Sequence, residues 1–424
     1  MLDAPAHGLD LDGFAEKLSA YRPDIVGLTT YTTTFTHAMA AAEKVKEAFP
    51  RSLVVTGGPH PSVRPEECLA SSAVDVAVRG EGEETFRRLV ECVAAGGDLN
   101  GVPNLVCKRN GEAVATAVEP QFHDPEALPF PARDLVDMRL YRPAHGAFRR
   151  LPATNMITSR GCPFQCSFCS KSISGSHYRA QSPGKTVQEI EALVRDYGIR
   201  EVSFSDDVFT FDRRRTEALC GLLAERRLDI TWSCSTRANL VSPELLVSMR
   251  KAGCVSVGYG IEAGDPEVLA RVHKGLSLDR ARDAIRWTRE AGIESRAFYI
   301  FGFPGETRAS LQKTLDVALE LDADFVIFNL TIPLPGAPLY DEAKSQGLLL
   351  YDGVELYNRA DGPHPLIRLE GVSEEELARF YRRAYRRYYL RPSYMLRQVL
   401  KVRSPSGLAR LAKGFLSFVR WNRS

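Results

Sequence analysis

The 424-residue chain reads as an α/β protein of two parts: a doubly wound (Rossmann-like) front domain, then a partial (β/α)6 barrel, with a helical, basic region at the C-terminus. Three observations predict this. Short apolar runs alternate with amphipathic segments twice, once within the first ~110 residues and again, for six strands, beyond residue 150. Glycines follow the front strands, at the edge where open parallel sheets bind ligands. Between the two series lies a segment with little periodicity that carries Pro120, Pro125, Pro129, Pro131 and Pro143. The expected divisions are 1–118 for the front domain, 119–150 for a linker, 151–340 for the barrel and 341–424 for the C-terminal region.

In the front domain, Pro23-Asp24 leads into an apolar run over 25–28 that ends in the polar string Thr29 to Thr34. A helix is expected next, with Ala38, Ala41, Ala42, Val45 and Ala48 on its apolar side. Then come a strand over 53–56, the turn Gly57-Gly58-Pro59, a strand over 74–78, the turn Arg79-Gly80-Glu81-Gly82 and a helix over 83–95. Residues 98–118 predict a hairpin turning on Asn110-Gly111. A helix over 12–21 precedes the first strand with no strand–helix unit before it, so the sheet is expected to be one βα unit short. Barrel strands are expected over 153–158, 201–205, 230–235, 255–261, 295–301 and 325–330. Helices over 187–197, 214–227, 243–252, 278–291 and 311–321 lie between them, and the loops after the strands form the active face.

Composition excludes several classes. Lysine plus arginine (55) against aspartate plus glutamate (53) leaves a charge of +2, without the broad basic face of a duplex nucleic-acid binder. No basic-then-apolar leader opens the sequence. The longest uncharged apolar stretch, 325–340, is broken by Pro333, Pro335 and Pro338 and is shorter than the ~18–20 residues of a spanning helix, so no transmembrane segment is expected. Nine cysteines, an odd number unevenly spaced, do not make a secreted disulfide framework, and the expected compartment is the cytoplasm.

Three of those cysteines crowd into eight residues, Cys162-Pro163-Phe164-Gln165-Cys166-Ser167-Phe168-Cys169, just past the first barrel strand. Three thiolates on one tight loop suit three corners of an iron–sulfur cluster and leave one iron open. A zinc site would need a fourth ligand, for which His177 is the nearby candidate. Cys68, Cys92, Cys107, Cys220, Cys234 and Cys254 read as ordinary core or surface residues.

The loop Cys-x3-Cys-x-Phe-Cys resembles that of the radical S-adenosylmethionine (radical SAM) superfamily. The resemblance implies a 4Fe–4S cluster on Cys162, Cys166 and Cys169 whose open iron chelates SAM. Reductive cleavage of SAM then yields a 5′-deoxyadenosyl radical that takes hydrogen from a small-molecule substrate, and a low-potential donor of flavodoxin or ferredoxin type supplies the electron. Phe168 matches the residue that meets adenine. In Ser205-Asp206-Asp207, after the second strand, Asp206 matches the SAM ammonium contact, and Asp207 is expected to face substrate. Arg237 and Glu262 follow the third and fourth strands, where the superfamily binds SAM carboxylate and ribose; a salt bridge between these two is the structural alternative. Gly302, in Gly302-Phe303-Pro304-Gly305-Glu306, matches the glycine-bearing motif beside adenine. Tyr259 is expected to face the reaction chamber.

The front-domain strings Pro23-Asp24-Ile25-Val26-Gly27-Leu28-Thr29, Gly57-Gly58-Pro59-His60-Pro61 and Arg79-Gly80-Glu81-Gly82-Glu83, with Tyr388-Tyr389-Leu390-Arg391-Pro392, resemble the cobalamin-binding-domain class of that superfamily. Thr30, Gly57, Gly58 and Glu81 match positions that hold cobalamin's nucleotide tail. The motif Asp-x-His-x-x-Gly, source of the axial histidine, is absent. The expected reaction is C-methylation in biosynthesis; the alternative is cobalamin-independent dehydration, decarboxylation or rearrangement with a vestigial front domain. Residues 391–424 carry eight lysines and arginines and no acid. A helix there is expected to pack Met395, Leu396, Val399 and Leu400 on the barrel, with contact to a partner, an acidic substrate or an anionic membrane surface as the alternative.

Overall fold

The computed structural model describes residues 1–119, 123–141, 143, 148–359 and 364–400. Thirteen strands are present among them: β1 (Ile25–Thr29), β2 (Leu53–Gly57), β3 (Val76–Val78), β4 (Leu105–Arg109), β5 (Glu112–Ala115), β6 (Ala153–Met156), β7 (Ser159–Arg160), β8 (Arg179–Ala180), β9 (Glu201–Phe204), β10 (Thr231–Thr236), β11 (Cys254–Glu262), β12 (Glu294–Phe301) and β13 (Phe325–Leu330). Two compact units result. One holds the described residues of 1–142, 159–181 and 332–362, the other those of 143–158, 182–331 and 363–400. The loop with the three cysteines therefore packs with the front sheet rather than with the strand that precedes it in sequence.

In the first unit, β1, β2 and β3 are parallel and in sequence order, with β1 at one edge, and β4–β5 adds an antiparallel hairpin at the other. The hairpin pairs Arg109 with Glu112 across Asn110-Gly111, both of which have positive φ (49° and 86°), as a two-residue turn of this twist requires. Val55, Val76, Val78, Leu89 and Leu105 form its core against the helix Glu83–Ala94.

The second unit is a six-stranded parallel sheet in the order β13-β12-β11-β10-β9-β6, the sequential winding of a partial barrel. Each crossover helix starts at a capping side chain: Ser182, Asp212, Ser242, Ser277 and Thr307 all accept a backbone N–H from the first turn. The far edge strand, β13, is closed by tyrosines from the helix Glu374–Tyr389. Tyr385 Oη hydrogen-bonds both the N–H and the carbonyl of Phe328, and Tyr389 Oη does the same for Val326, so the open ladder is satisfied by phenols.

Two expectations are corrected here. The helix Pro392–Leu400 turns Tyr394 inward and ties Arg391 and Arg397 to Asp322, while Met395, Leu396, Val399 and Leu400 stay exposed. The ion pairs, rather than the apolar residues, set which side faces the sheet. Tyr259 is fully buried and its hydroxyl lies 2.7 Å from Thr288 Oγ1, on the helix Leu278–Glu290. Strand alternation turns its flanking Gly258 and Gly260 to the opposite face, so Tyr259 belongs to the sheet–helix core. Residues 401–424, most of the expected basic tail, lie outside the described residues.

Candidate functional site

The cysteine loop is closed at its neck by β7 and β8, which pair antiparallel with Arg160 opposite Arg179. Within it, Gly161 has φ 87°, and a Cβ there would lie 2.1 Å from the His177 carbonyl oxygen; only glycine fits. Cys162 N–H donates to Gly175 O at 3.2 Å and Cys169 N–H to Cys166 O at 3.2 Å. From the segment after β13, Leu339 N–H donates to Ser167 O at 2.8 Å. Gly336 (φ 83°) lets that segment approach Val63 and Ser170. Cys166 is buried, Cys162 half-buried and Cys169 exposed, and no disulfide forms among the described residues.

The donor set fits a cluster better than a single ion. Around one zinc, thiolates at about 2.3 Å sit roughly 3.8 Å from one another. Among the described residues, Glu81, Glu83 and His123 bring their ligand atoms within 4.8 Å of one another. There both carboxylates are already answered by guanidinium groups, Glu81 by Arg160 and Arg179, and Glu83 by Arg160, which disfavours a cation. A cubane instead takes one thiolate per iron, which spreads the ligands. His177 is exposed, and the other six cysteines are buried or half-buried, with burial pushing Cys68 and Cys220 up to about 12.

At the C-terminal edge of the front sheet, Thr30, Gly57 and Gly58 come together. Thr30 N–H donates to Gly57 O at 2.8 Å, and Gly58 (φ 107°) would place a Cβ 3.0 Å from Thr30 O. Glu81 does not join them: its carboxylate is spent on the arginines at the neck of the cysteine loop. Beside them lies a cluster that sequence reading missed. His60 is fully buried, with Nδ1 3.3 Å from Thr32 Oγ1 and Nε2 3.4 Å from Glu67 Oε2, and Tyr357 Oη donates to Glu67 at 2.9 Å. Burial alone would raise the Glu67 carboxyl, but the His60 and Tyr357 hydrogen bonds hold it below its ordinary value.

In the barrel unit the strand-end residues are placed separately. Asp206 is buried and accepts from Thr158 N–H at 2.6 Å and from Thr158 Oγ1 at 2.7 Å, while Arg215 donates to that same hydroxyl at 2.8 Å. Asp207 is the exposed carboxylate of the pair. Arg237 and Glu262 are not partners of each other. Arg237 donates to the Lys274 carbonyl, whereas Glu262, at φ 71°, binds Lys274 Nζ at 2.6 Å. The β11–β12 register shifts at this point, and Gly260 leaves the space the ion pair occupies. Lys274 was legible only as part of His273-Lys274-Gly275, between two positive-φ residues. Gly302 (φ 92°) and Phe303 both donate N–H to Glu306 Oε2, at 2.7 and 3.0 Å. Burial pushes the Glu306 carboxyl up to about 7 against those two amides.

Comparison with known proteins agrees with the loop and with the front sheet. The model of the radical SAM superfamily matches residues 156–318, and that of the B12 binding domain matches 1–90. An uncharacterized methyltransferase of Pyrococcus horikoshii is 32% identical over 403 residues, 95% of this chain and 86% of that protein. The chain belongs to the radical SAM superfamily. Within it, the chain falls in the class with a B12 binding domain. An anaerobic magnesium-protoporphyrin IX monomethyl ester cyclase of Rubrivivax gelatinosus is 29% identical over 93% of this chain and 71% of its own length. The fold matches the cobalamin-dependent SAM radical enzyme OxsB, with TM-score 0.75, 17% identity, and 99% of this chain and 66% of that one covered. It also matches the radical SAM methyltransferase TsrM of Kitasatospora setae, with TM-score 0.66, 23% identity, and 88% and 78% covered. The protein is a radical SAM enzyme, and membership brings a 4Fe–4S cluster, SAM and the need for an external reductant. Among the described residues no helix is long and apolar enough to cross a membrane.

Proposed function

We propose that the protein is a cobalamin-dependent radical SAM methyltransferase that methylates carbon in an organic small molecule. The observation carrying this reading is that the three-cysteine loop packs into one compact unit with a sheet of B12-binding type. When bound, the cluster and SAM supply a 5′-deoxyadenosyl radical and cobalamin supplies a methyl group. The chain's own residues bind and orient. Cys162, Cys166 and Cys169 hold the cluster. Phe168, Asp207, Arg237, Glu262 and Gly302 hold SAM, with Asp206 and Glu306 fixing the backbone at their strand ends. Thr30, Gly57 and Gly58 hold the nucleotide tail of cobalamin. His60 is not offered to cobalt, since its side chain is fully buried with Nδ1 on Thr32.

A cyclase among the relatives favours a second reading, in which the same radical start leads to dehydration, decarboxylation or rearrangement without methyl transfer. The electron donor is of flavodoxin or ferredoxin type, the compartment is the cytoplasm, and the basic C-terminal region makes a peripheral membrane contact.

The test is anaerobic reconstitution with iron, sulfide and hydroxocobalamin. Bound corrin in the visible spectrum, 5′-deoxyadenosine formation and two SAM consumed per methylated product support methylation; 5′-deoxyadenosine without bound corrin supports the second reading. Cys166→Ala abolishes 5′-deoxyadenosine formation, and full activity in that variant refutes the cluster assignment.

A further inference from the structure

Arg160 and Arg179 stand directly opposite each other in the two-residue ladder at the neck of the cysteine loop. Like charges in that position repel, and Arg160 lies two residues from Cys162. The loop itself, residues 161–178, contains no carboxylate that removes this repulsion. Glu81, in the turn after β3 of the front sheet, does. Its side chain has no solvent exposure, and its two oxygens take Arg179 Nη2 at 2.6 Å and Nη1 at 3.1 Å, a bidentate fork. The same carboxylate lies 3.2 Å from Arg160 Nη1 and accepts the His123 N–H at 3.0 Å. Arg160 reaches on to Glu83 at 2.5 Å, and Arg179 to the Ser174 carbonyl inside the loop at 3.1 Å. Two carboxylates thus offset two guanidinium charges.

We propose that Glu81 is the positioning residue of the iron–sulfur loop, through which the front domain sets both the shape of that loop and the charge at its base. This rests on the cluster reading given above. A buried carboxylate carrying this many charge-assisted hydrogen bonds is more than a surface ion pair, because removing it takes away the negative charge that both guanidinium groups share. The surplus positive charge favours the reduced cluster, which carries one more electron. In this arrangement the front domain acts on the chemistry whether or not it carries a corrin, so it is not vestigial.

The experiment compares full-length wild type, Glu81→Gln and Glu81→Asp, each as apoprotein and after anaerobic reconstitution. In the apoproteins, amide hydrogen exchange over 159–181 is expected to rise at least tenfold in Glu81→Gln while the amides of β9–β12 keep wild-type rates. In the reconstituted proteins, the cluster's midpoint potential is expected to move positive in Glu81→Gln and to stay near wild type in Glu81→Asp, which keeps the charge but not the reach. Exchange that rises equally across the chain, or a potential unchanged in Glu81→Gln, overturns the inference. If Glu81→Gln does not fold, Glu81→Asp decides: local loosening of 159–181 at an unchanged potential supports the clamp, and wild-type exchange overturns it. Failure of the wild type itself to take up four irons counts against the cluster reading alone, and the apoprotein exchange still decides the clamp.

Discussion

Two glutamates, one in each compact unit, show opposite ways of burying a carboxylate. Glu81 and Glu306 are both nearly inaccessible, at 2% and 1% exposure, and both accept backbone N–H groups. Glu81 is met by two guanidinium groups and acts as a fixed strut. Glu306 is met by the amide dipoles of Gly302 and Phe303 and by the Ser310 side chain, with the charge of Asp265 pushing the same way as burial, and its carboxyl rises to about 7. Cations therefore brace the neck of the cysteine loop, whereas the β12 turn is held by a carboxyl that burial raises to about 7.

The sharpest way to break the strut is at Gly161. Gly161→Ala forces a Cβ onto the His177 carbonyl at positive φ, and iron uptake and 5′-deoxyadenosine formation are expected to fall more than tenfold. Gly101→Ala, whose Cβ would meet nothing within 4 Å, leaves both near wild type. Equal losses in the two variants would mean the loop is not the rigid partner. Next in size is the titrating turn. A carboxyl raised in the fold contributes stability that is complete below its unfolded value near 4.5 and is lost as pH rises through about 7. Glu306→Gln should remove a loss on the order of 3 kcal/mol over that window, seen as a urea midpoint that no longer drops between pH 5 and pH 8. An unchanged pH slope would show that Glu306 does not titrate in that window.

Thr158→Val keeps the backbone donor to Asp206 but deletes the hydroxyl shared with Arg215. Unfolding free energy is expected to fall by roughly 2 kcal/mol, the worth of a hydrogen bond to a charged group, and no change would show that the hydroxyl does not hold the β9 turn. The smallest effect belongs to Tyr259→Phe, which loses one buried contact to Thr288: about 1 kcal/mol of stability. Its turnover should stay within twofold of wild type; a hundredfold loss would return Tyr259 to the reaction chamber.

Much of the architecture was legible in the sequence. The two alternating series gave the six parallel barrel strands within a few residues of their observed ends, because a strand buried on both faces must be a short apolar run between breakers. The Asn110-Gly111 turn was legible because few other pairs tolerate positive φ twice in succession. The side chains at strand ends were less so. Arg237 and Glu262 carry complementary charges in the right order, yet each found Lys274 instead, through a β-bulge that sequence periodicity does not register. Asp206 and Asp207 are adjacent and chemically alike, and only the position of the Thr158 hydroxyl separates the structural carboxylate from the exposed one.

Local chemistry was thus enough to specify the strands, their caps and the three thiols, since each depends on residues within a turn or two of one another. Tertiary structure alone decided that the cysteine loop belongs to the same compact unit as the front sheet. Glu81 lies 79 positions before Arg160 and 98 before Arg179. No pattern in the intervening residues announces that one carboxylate will satisfy both, because a buried charge finds its partners by proximity in space after the chain has closed.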